Sequence, residues 1–293
     1  MACGVICMEK ILPVEPIGRA RSAVFPLRLT DADVVLLFAF AFLAVGGIQR
    51  FADAYAQGAF PAFASMFSTS ELLALLAIYS VCKSENGSIV LSKLDFVVIA
   101  ACALFLLLPS QRLPFIGATA AGLYFWRRSP RGGQLASVGQ LLLAISCYEL
   151  WGPLVFKILS APVIQAEVSV VSNFGRWLGF NLSLDGIRLV SANGWSIFMM
   201  EGCSSFHNVS LAVLVWLTLI KLGEAKATGV TMIALCAGII GIICLNGLRI
   251  LLMTPSEEAY VFWHDGNGAV IFSCITLALI AFPTIASMRL RDA

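Results

Sequence analysis

The chain has 293 residues, 59% of them hydrophobic and only 12% charged, with a mean hydropathy of +0.91. Such a composition excludes a water-soluble globular domain and describes an integral membrane protein. The 19 basic and 17 acidic residues leave a net charge of +2, which gives no support to nucleic-acid binding.

The apolar runs approach the ~20 residues that carry a helix across about 30 Å of hydrocarbon. They lack the apolar–polar alternation of a transmembrane strand, so helices are expected rather than a barrel. In chain order the runs predict helices at about 33–49, 64–82, 94–109, 113–126, 136–157, 205–220, 229–253 and 268–287. The expected fold is therefore a single all-α membrane domain over 1–293 with about eight transmembrane helices. It divides into a leader (1–32), N-terminal helices (33–157), an outer-side segment (158–204) and a last group of helices (205–293). The first apolar run follows a long basic leader and has no small-residue exit site, so it reads as a retained helix and not a cleavable signal.

Lysine and arginine are held on the cytoplasmic side during insertion. With the N-terminus inside, 13 of the 19 cations fall on that side and six, including Arg50, Arg112 and Arg249, on the other. Both termini are then cytoplasmic.

Eight of the nine cysteines lie in the leader or within apolar runs, where a thiol behaves as a small hydrophobe. Cys203 differs, because it follows Glu201-Gly202 at the outer edge of a helix where water is expected to reach it. No CxxC pair or Cys/His spacing suggests a metal, and no cofactor is implied.

The segment leading to Cys203 has its own organisation. From Pro162 to Phe180, apolar residues recur at helical spacing with Gln165, Glu167, Ser169, Ser172 and Arg176 between them, which predicts a helix lying in the membrane interface. The strands 187–191 and 195–199 then flank Ala192-Asn-Gly194, where Asn-Gly supplies the positive φ angles of a tight hairpin. The second strand delivers the chain to Cys203, so a hairpin there fixes the thiol's position.

Two further features belong to the same side. Asn246 and Arg249 stand three positions apart on one helix face. A guanidinium within a membrane helix costs about 2.5–3.5 kcal/mol on insertion scales, so Arg249 must gain a partner there or snorkel to the interface. His264 stands in the loop before the last helix, followed by Asp265, which can orient its ring or start the Asp-Gly-Asn-Gly turn. The other histidine, His207, lies one turn after Cys203 and is an alternative base.

Three spans of alternating direction bring Cys203, Arg249 and His264 to one membrane face, and their chemistry is complementary. A neighbouring cation favours the nucleophilic thiolate. Histidine can take and return the proton that acyl transfer moves twice. Arginine keeps its proton and suits an oxyanion.

At these residues the chain resembles the exosortases and archaeosortases, multi-pass membrane proteins with a Cys-Ser-Gly-like motif, an Asn-x-x-Arg near the outer end of the next helix and a histidine before the last. The matching positions are Cys203-Ser-Ser205, Asn246-Gly-Leu-Arg249 and His264. Ser205 stands where the family often has glycine, and its side chain could narrow the approach to Cys203.

The resemblance implies a cysteine peptidase or transpeptidase of a bacterial or archaeal cytoplasmic (inner) membrane, with its site on the outer face. Its partners are the bilayer and exported proteins that end in a short motif, a membrane helix and a basic tail; its acceptor is not identified by the sequence. Cys203 would be the nucleophile, His264 the acid/base and Arg249 the stabiliser of thiolate or oxyanion, supported by Asn246, Ser204, His207 and Asp265. Two alternatives stand beside it: a transporter pairing Glu149 with Arg249, and an assembly factor that binds the sorting helix without cutting it.

Overall fold

A computed structural model describes residues 29–56, 58, 69–84, 88–108, 110, 112–129 and 133–292. Most of the expected leader (1–28) and the start of the second expected helix (64–68) lie outside the described residues.

Of the described residues, 79% are helical. In order, the helices are α1 (Asp31–Ala56), α2 (Thr69–Lys83), α3 (Lys93–Ala103), α4 (Pro114–Arg128), α5 (Gln134–Ser146), α6 (Gly152–Trp177), α7 (Phe206–Leu222), α8 (Gly229–Met253), α9 (Glu257–His264) and α10 (Asn267–Asp292). Between α6 and α7 lies an antiparallel sheet of β1 (Leu182–Asp185), β2 (Arg188–Ser191) and β3 (Ser196–Phe198), in that order across the sheet.

Four helical stretches are long and apolar enough to cross a membrane: Asp31–Ala56, Gln134–Trp177, Gly229–Met253 and Asn267–Arg289. The 17-residue α7 is apolar but shorter. By length and composition, four helical stretches among the described residues are candidate membrane spans, where hydropathy alone predicts about eight.

The largest departure from the expected elements is in α5 and α6. A separate interfacial helix over 162–180 does not form. Instead α5 runs through a π-helical turn, Cys147–Trp151, straight into α6. The physical reason is that nothing between the two expected helices ends one: 158–161 read Ile-Leu-Ser-Ala, and Pro162 is accommodated inside α6. At 1.5 Å per residue the 44-residue helix is about 66 Å long, roughly twice the hydrocarbon thickness. Its second half packs Ile164, Val168 and Val171 against the sheet and the end of α8.

Register in the sheet is set by Leu189 opposite Ile197 and Val190 opposite Ser196. Leu189 and Ile197 are buried beneath the sheet with Met199. The β2–β3 turn is not the tight Asn-Gly type expected, since only Gly194 takes a positive φ, of 86°. Asn193 instead spends its side chain on the turn: its oxygen accepts the Trp195 N–H at 3.0 Å and its amide donates to the Pro255 carbonyl at 2.6 Å.

In the N-terminal half, α4 and α5 approach through facing glycines. A Cβ added at Gly139 would lie 2.7 Å from the Gly122 carbonyl oxygen and 2.7 Å from the Trp126 nitrogen. Small residues at a helix contact let backbones come this close where lipid offers no hydrophobic drive. Ionic staples complete the bundle. Buried Asp95 of α3 meets Arg128 of α4 at 2.6 Å and accepts from the Tyr124 hydroxyl at 2.9 Å. Arg50 of α1 donates to both oxygens of buried Glu71 of α2 at 2.8 Å.

Gly139→Val should therefore lower stability by about 1–3 kcal/mol through overpacking, read as a reduced unfolding temperature in detergent. An unchanged transition would mean that α4 and α5 separate freely.

Candidate functional site

Cys203 ends a 3-10 turn, Glu201–Cys203, immediately before α7. Contrary to the expectation of a water-accessible thiol, it is 6% exposed. It belongs to the apolar cluster under the sheet, with Met199, Ile197, Phe156 and Ile250. The cause is the strand that precedes it: β3 alternates, sending Ile197 and Met199 inward, and the turn that follows carries Cys203 after them. Burial alone does not distinguish this cysteine, because Cys82 and Cys102 are also buried, whereas Cys147, Cys236, Cys244 and Cys274 lie on the surface. Its polar surroundings do.

The turn that carries Cys203 is held from two helices. From α8, buried Asn246 donates its side-chain amide to the Cys203 carbonyl at 2.7 Å. From α6, one carboxylate oxygen of Glu167 accepts the Ser205 N–H at 3.0 Å and the Ser205 hydroxyl as well. A carboxylate beside the first N–H groups of a helix is favoured by unsatisfied donors and by the dipole. The second Glu167 oxygen is buried without a partner among the described residues. Ser205 therefore has its hydroxyl turned to α6. Ser204 is buried, and its hydroxyl accepts the Phe206 N–H at 3.2 Å, so it too serves the helix start.

One turn after Asn246 on the same face of α8, Arg249 finds its partner in α9. Its Nε donates to the Trp263 carbonyl at 3.0 Å and one terminal nitrogen to the His264 carbonyl at 3.3 Å. These are carbonyls at the end of a helix, which lack intrahelical donors. Half-buried Arg249 thus finds partners by capping α9. Two of its five N–H donors are used, and the other three have no partner among the described residues.

His264 is not in a loop, as the sequence suggests, but closes α9. The short helix forms because the Ser256 hydroxyl accepts the Ala259 N–H at 3.2 Å, with Glu257 and Glu258 in its first turn. The His264 ring is hydrogen-bonded through Nδ1 to Asp265 at 2.8 Å. Its face stacks on Tyr260, one turn earlier, at 4.8 Å between ring centres. Tyr260 was not among the residues the sequence singles out; its spacing of four before His264 in a helix is the signal that finds it. Burial pushes the Tyr260 phenol up, nearby Cys203 and Asp265 push it the same way, and Arg249 opposes them. Tyr260 thus lies in the electrostatic reach of all three.

The structure ties Cys203 to Asn246 through the backbone and Arg249 to His264 through the backbone, and it pairs His264 with Asp265 directly. The Cys203 sulfur itself makes no hydrogen bond to Arg249, to His264 or to any other described residue. His207 points elsewhere: its Nε2 lies 3.1 Å from the Tyr148 hydroxyl, on the π turn after α5. Glu149, on the same turn, lies beside Glu71 and Arg50, and no ion pair joins it to Arg249 among the described residues.

A cavity of about 1080 Å³, lined by Ser84, Arg128, Gln134, Trp216 and Lys221 among others, contains none of these residues. Lys221 lies at the far end of α7 from Cys203, so this cavity is at the opposite end of that helix. Among the described residues no cluster of three or more His, Cys, Asp or Glu side chains could hold a metal. Comparison with protein-family models, with curated proteins and with solved structures finds no match. The likeness to a known family therefore rests on the identity and order of Cys203, Asn246, Arg249 and His264.

Asn246→Leu should leave the Cys203 carbonyl buried and unpaired, at a cost of about 1–3 kcal/mol. A variant as resistant to thermal unfolding as the parent would show that the bond contributes nothing to holding the turn.

Proposed function

We propose that the chain is an exosortase-like cysteine peptidase or transpeptidase that removes a C-terminal sorting signal from exported proteins. The observation that supports it best is that one face of α8 serves both halves of the chemistry. Asn246 holds the residue that carries the thiol, and Arg249 holds the residue that carries the imidazole. In this reading the shorter helices α2, α3, α4 and α7 also cross the bilayer, giving about eight spans. Both termini are cytoplasmic, and Cys203, buried beneath the sheet, and His264 lie toward the outer face.

The substrate's membrane helix docks among the last helices, with the peptide bond just outside it at Cys203. His264 removes the thiol proton and Asp265 holds the ring. The sulfur attacks the carbonyl carbon, and the free Arg249 donors receive the oxyanion. Collapse of the tetrahedral intermediate breaks the C–N bond, and His264 returns the proton to the departing amine of the tail. The thioester left on Cys203 then passes to an amine or hydroxyl acceptor, or to water. No cofactor takes part. Ser205, bonded to Glu167, is turned away from the thiol's approach in this reading.

A transport reading has separate support in the Arg50–Glu71–Glu149 cluster, since ionisable groups within candidate spans commonly mark ion pathways. The two readings part at the thiol.

In membranes carrying a tagged substrate with a motif, helix and basic tail, Cys203→Ala should abolish tail removal. Arg249→Lys should reduce it by roughly 10²–10³-fold, because a lysine cannot cap both carbonyls and face the oxyanion. Immunoblotting of the tag measures both. Undiminished processing by Cys203→Ala would overturn the peptidase reading.

A further inference from the structure

We propose that the open edge of β3 is the docking site for the substrate's extended segment, which adds to the sheet as a fourth antiparallel or parallel strand leading to Cys203. The inference rests on the peptidase reading and names what that reading leaves open, how the peptide is held.

The register of the sheet decides which backbone groups are free. Ser191 N–H donates to the Trp195 carbonyl at 2.8 Å and Met199 N–H to the Ile187 carbonyl at 3.0 Å, and Ile197 stands opposite Leu189. Trp195, Ile197 and Met199 therefore turn their backbone groups toward β2. By the alternation of a strand, Ser196 and Phe198 turn theirs to the other side. Met200 continues the extended conformation, with φ −106° and ψ 172°, so its N–H points the same way. β2 is the element that packs along β3, and β3 ends the strand order of the sheet.

Natural edges are usually guarded by lysine, proline, a bulge or a covering element. The run Ser196-Ile-Phe-Met-Met200 contains neither a charge nor a proline. Of its outward side chains, Phe198 at 58% and Met200 at 64% are apolar and open, while Ile197 and Met199 are 4% and 0% exposed; Ser196 accepts from Arg188 of β2, whose guanidinium lies over the Phe198 ring. An extended peptide satisfies such an edge by main-chain hydrogen bonds and reads alternate side chains in passing. The continuity of this edge with the thiol selects the substrate as its occupant. The Met200 carbonyl accepts the N–H of Cys203 at 2.9 Å, so one turn separates the end of the free edge from the thiol residue.

Phe198→Pro tests the edge, since proline removes only the N–H that faces away from β2 and is tolerated on an outer strand. Phe198→Ala keeps that N–H and controls for the lost ring. With full-length protein in detergent and a peptide substrate, Phe198→Pro should raise KM about tenfold, the equivalent of a lost hydrogen bond or two, beyond any effect of Phe198→Ala. Substrates in which single backbone amides are replaced by esters require no protein variant. Along the segment before the cleaved bond they should lose kcat/KM at every second position.

Equal processing of all esters, or equal KM for the proline and alanine variants, would overturn the proposal while leaving the peptidase reading intact. If Phe198→Pro instead altered self-association with KM unchanged, the edge would be an interface between copies, and the proposal would fail. Persistent cleavage by Cys203→Ala would remove the underlying reading by itself.

Discussion

A side-chain amide buried in a helix as apolar as α8 must find an acceptor outside that helix, and Asn246 finds it in the backbone of Cys203. The bond is made to a carbonyl, not to a side chain, so it fixes the path of the chain. Where Asn246 sits determines where the 3-10 turn closes, and hence where α7 begins. The same face of α8, one turn on, repeats the device with a charged donor: Arg249 ends α9 by capping its carbonyls. Asn246 and Arg249 of α8 thus both donate to the ends of neighbouring elements, whose carbonyls lack intrahelical partners. That complementarity explains how a strongly apolar helix tolerates an amide and a guanidinium, and it is what draws the sheet, α7 and α9 around one point.

The identity of most helices was legible in the sequence because long apolar runs have few alternatives in lipid. The α8 span over 229–253 agrees with the expected bounds. What was not legible follows from interactions that no local pattern records. The merging of α5 into α6 depends on the absence of a terminator before Pro162, while the polar spacing beyond it looks like a separate amphipathic element. β1 was not foreseen because Leu182–Asp185 is short and three of its four residues are exposed, so its reason to be extended is its pairing with β2. The helix α9 was hidden by its brevity, although its Ser256 cap and paired glutamates are visible in hindsight as a start signal.

The site was legible in its residue types more than in their environments. Asn246 and Arg249 were found by their cost in an apolar helix, and His264 by rarity. Cys203 was expected in water because it adjoins Glu201 and Gly202, but those two residues take the exposure and Cys203 the burial. Glu167 passed as one polar residue among several on the outer half of α6, since its role depends on Ser205, 38 residues later in the chain. A contact at that separation has no periodic signature. Tyr260 was missed for the opposite reason, as its spacing to His264 carries meaning only once the segment is known to be helical.

The two polar groupings at this end of the bundle also divide their tasks by how their charges are met. One Arg50 nitrogen spans both oxygens of Glu71 with Glu149 close by, an arrangement whose main product is a fixed geometry between α1 and α2 beside the π turn. Pairs of this kind contribute little net stability after desolvation, but removing one member strands the other. Arg249 faces only neutral carbonyls, so its positive charge is not cancelled by an adjacent carboxylate, and three of its donors stay open. A guanidinium held in place yet uncompensated is suited to receive negative charge that arises elsewhere, in a thiolate or a tetrahedral oxyanion. The contrast between a neutralised arginine and an uncompensated one is the electrostatic argument by which the proposed function puts its chemistry at α8 and α9 and its scaffolding at α1 and α2.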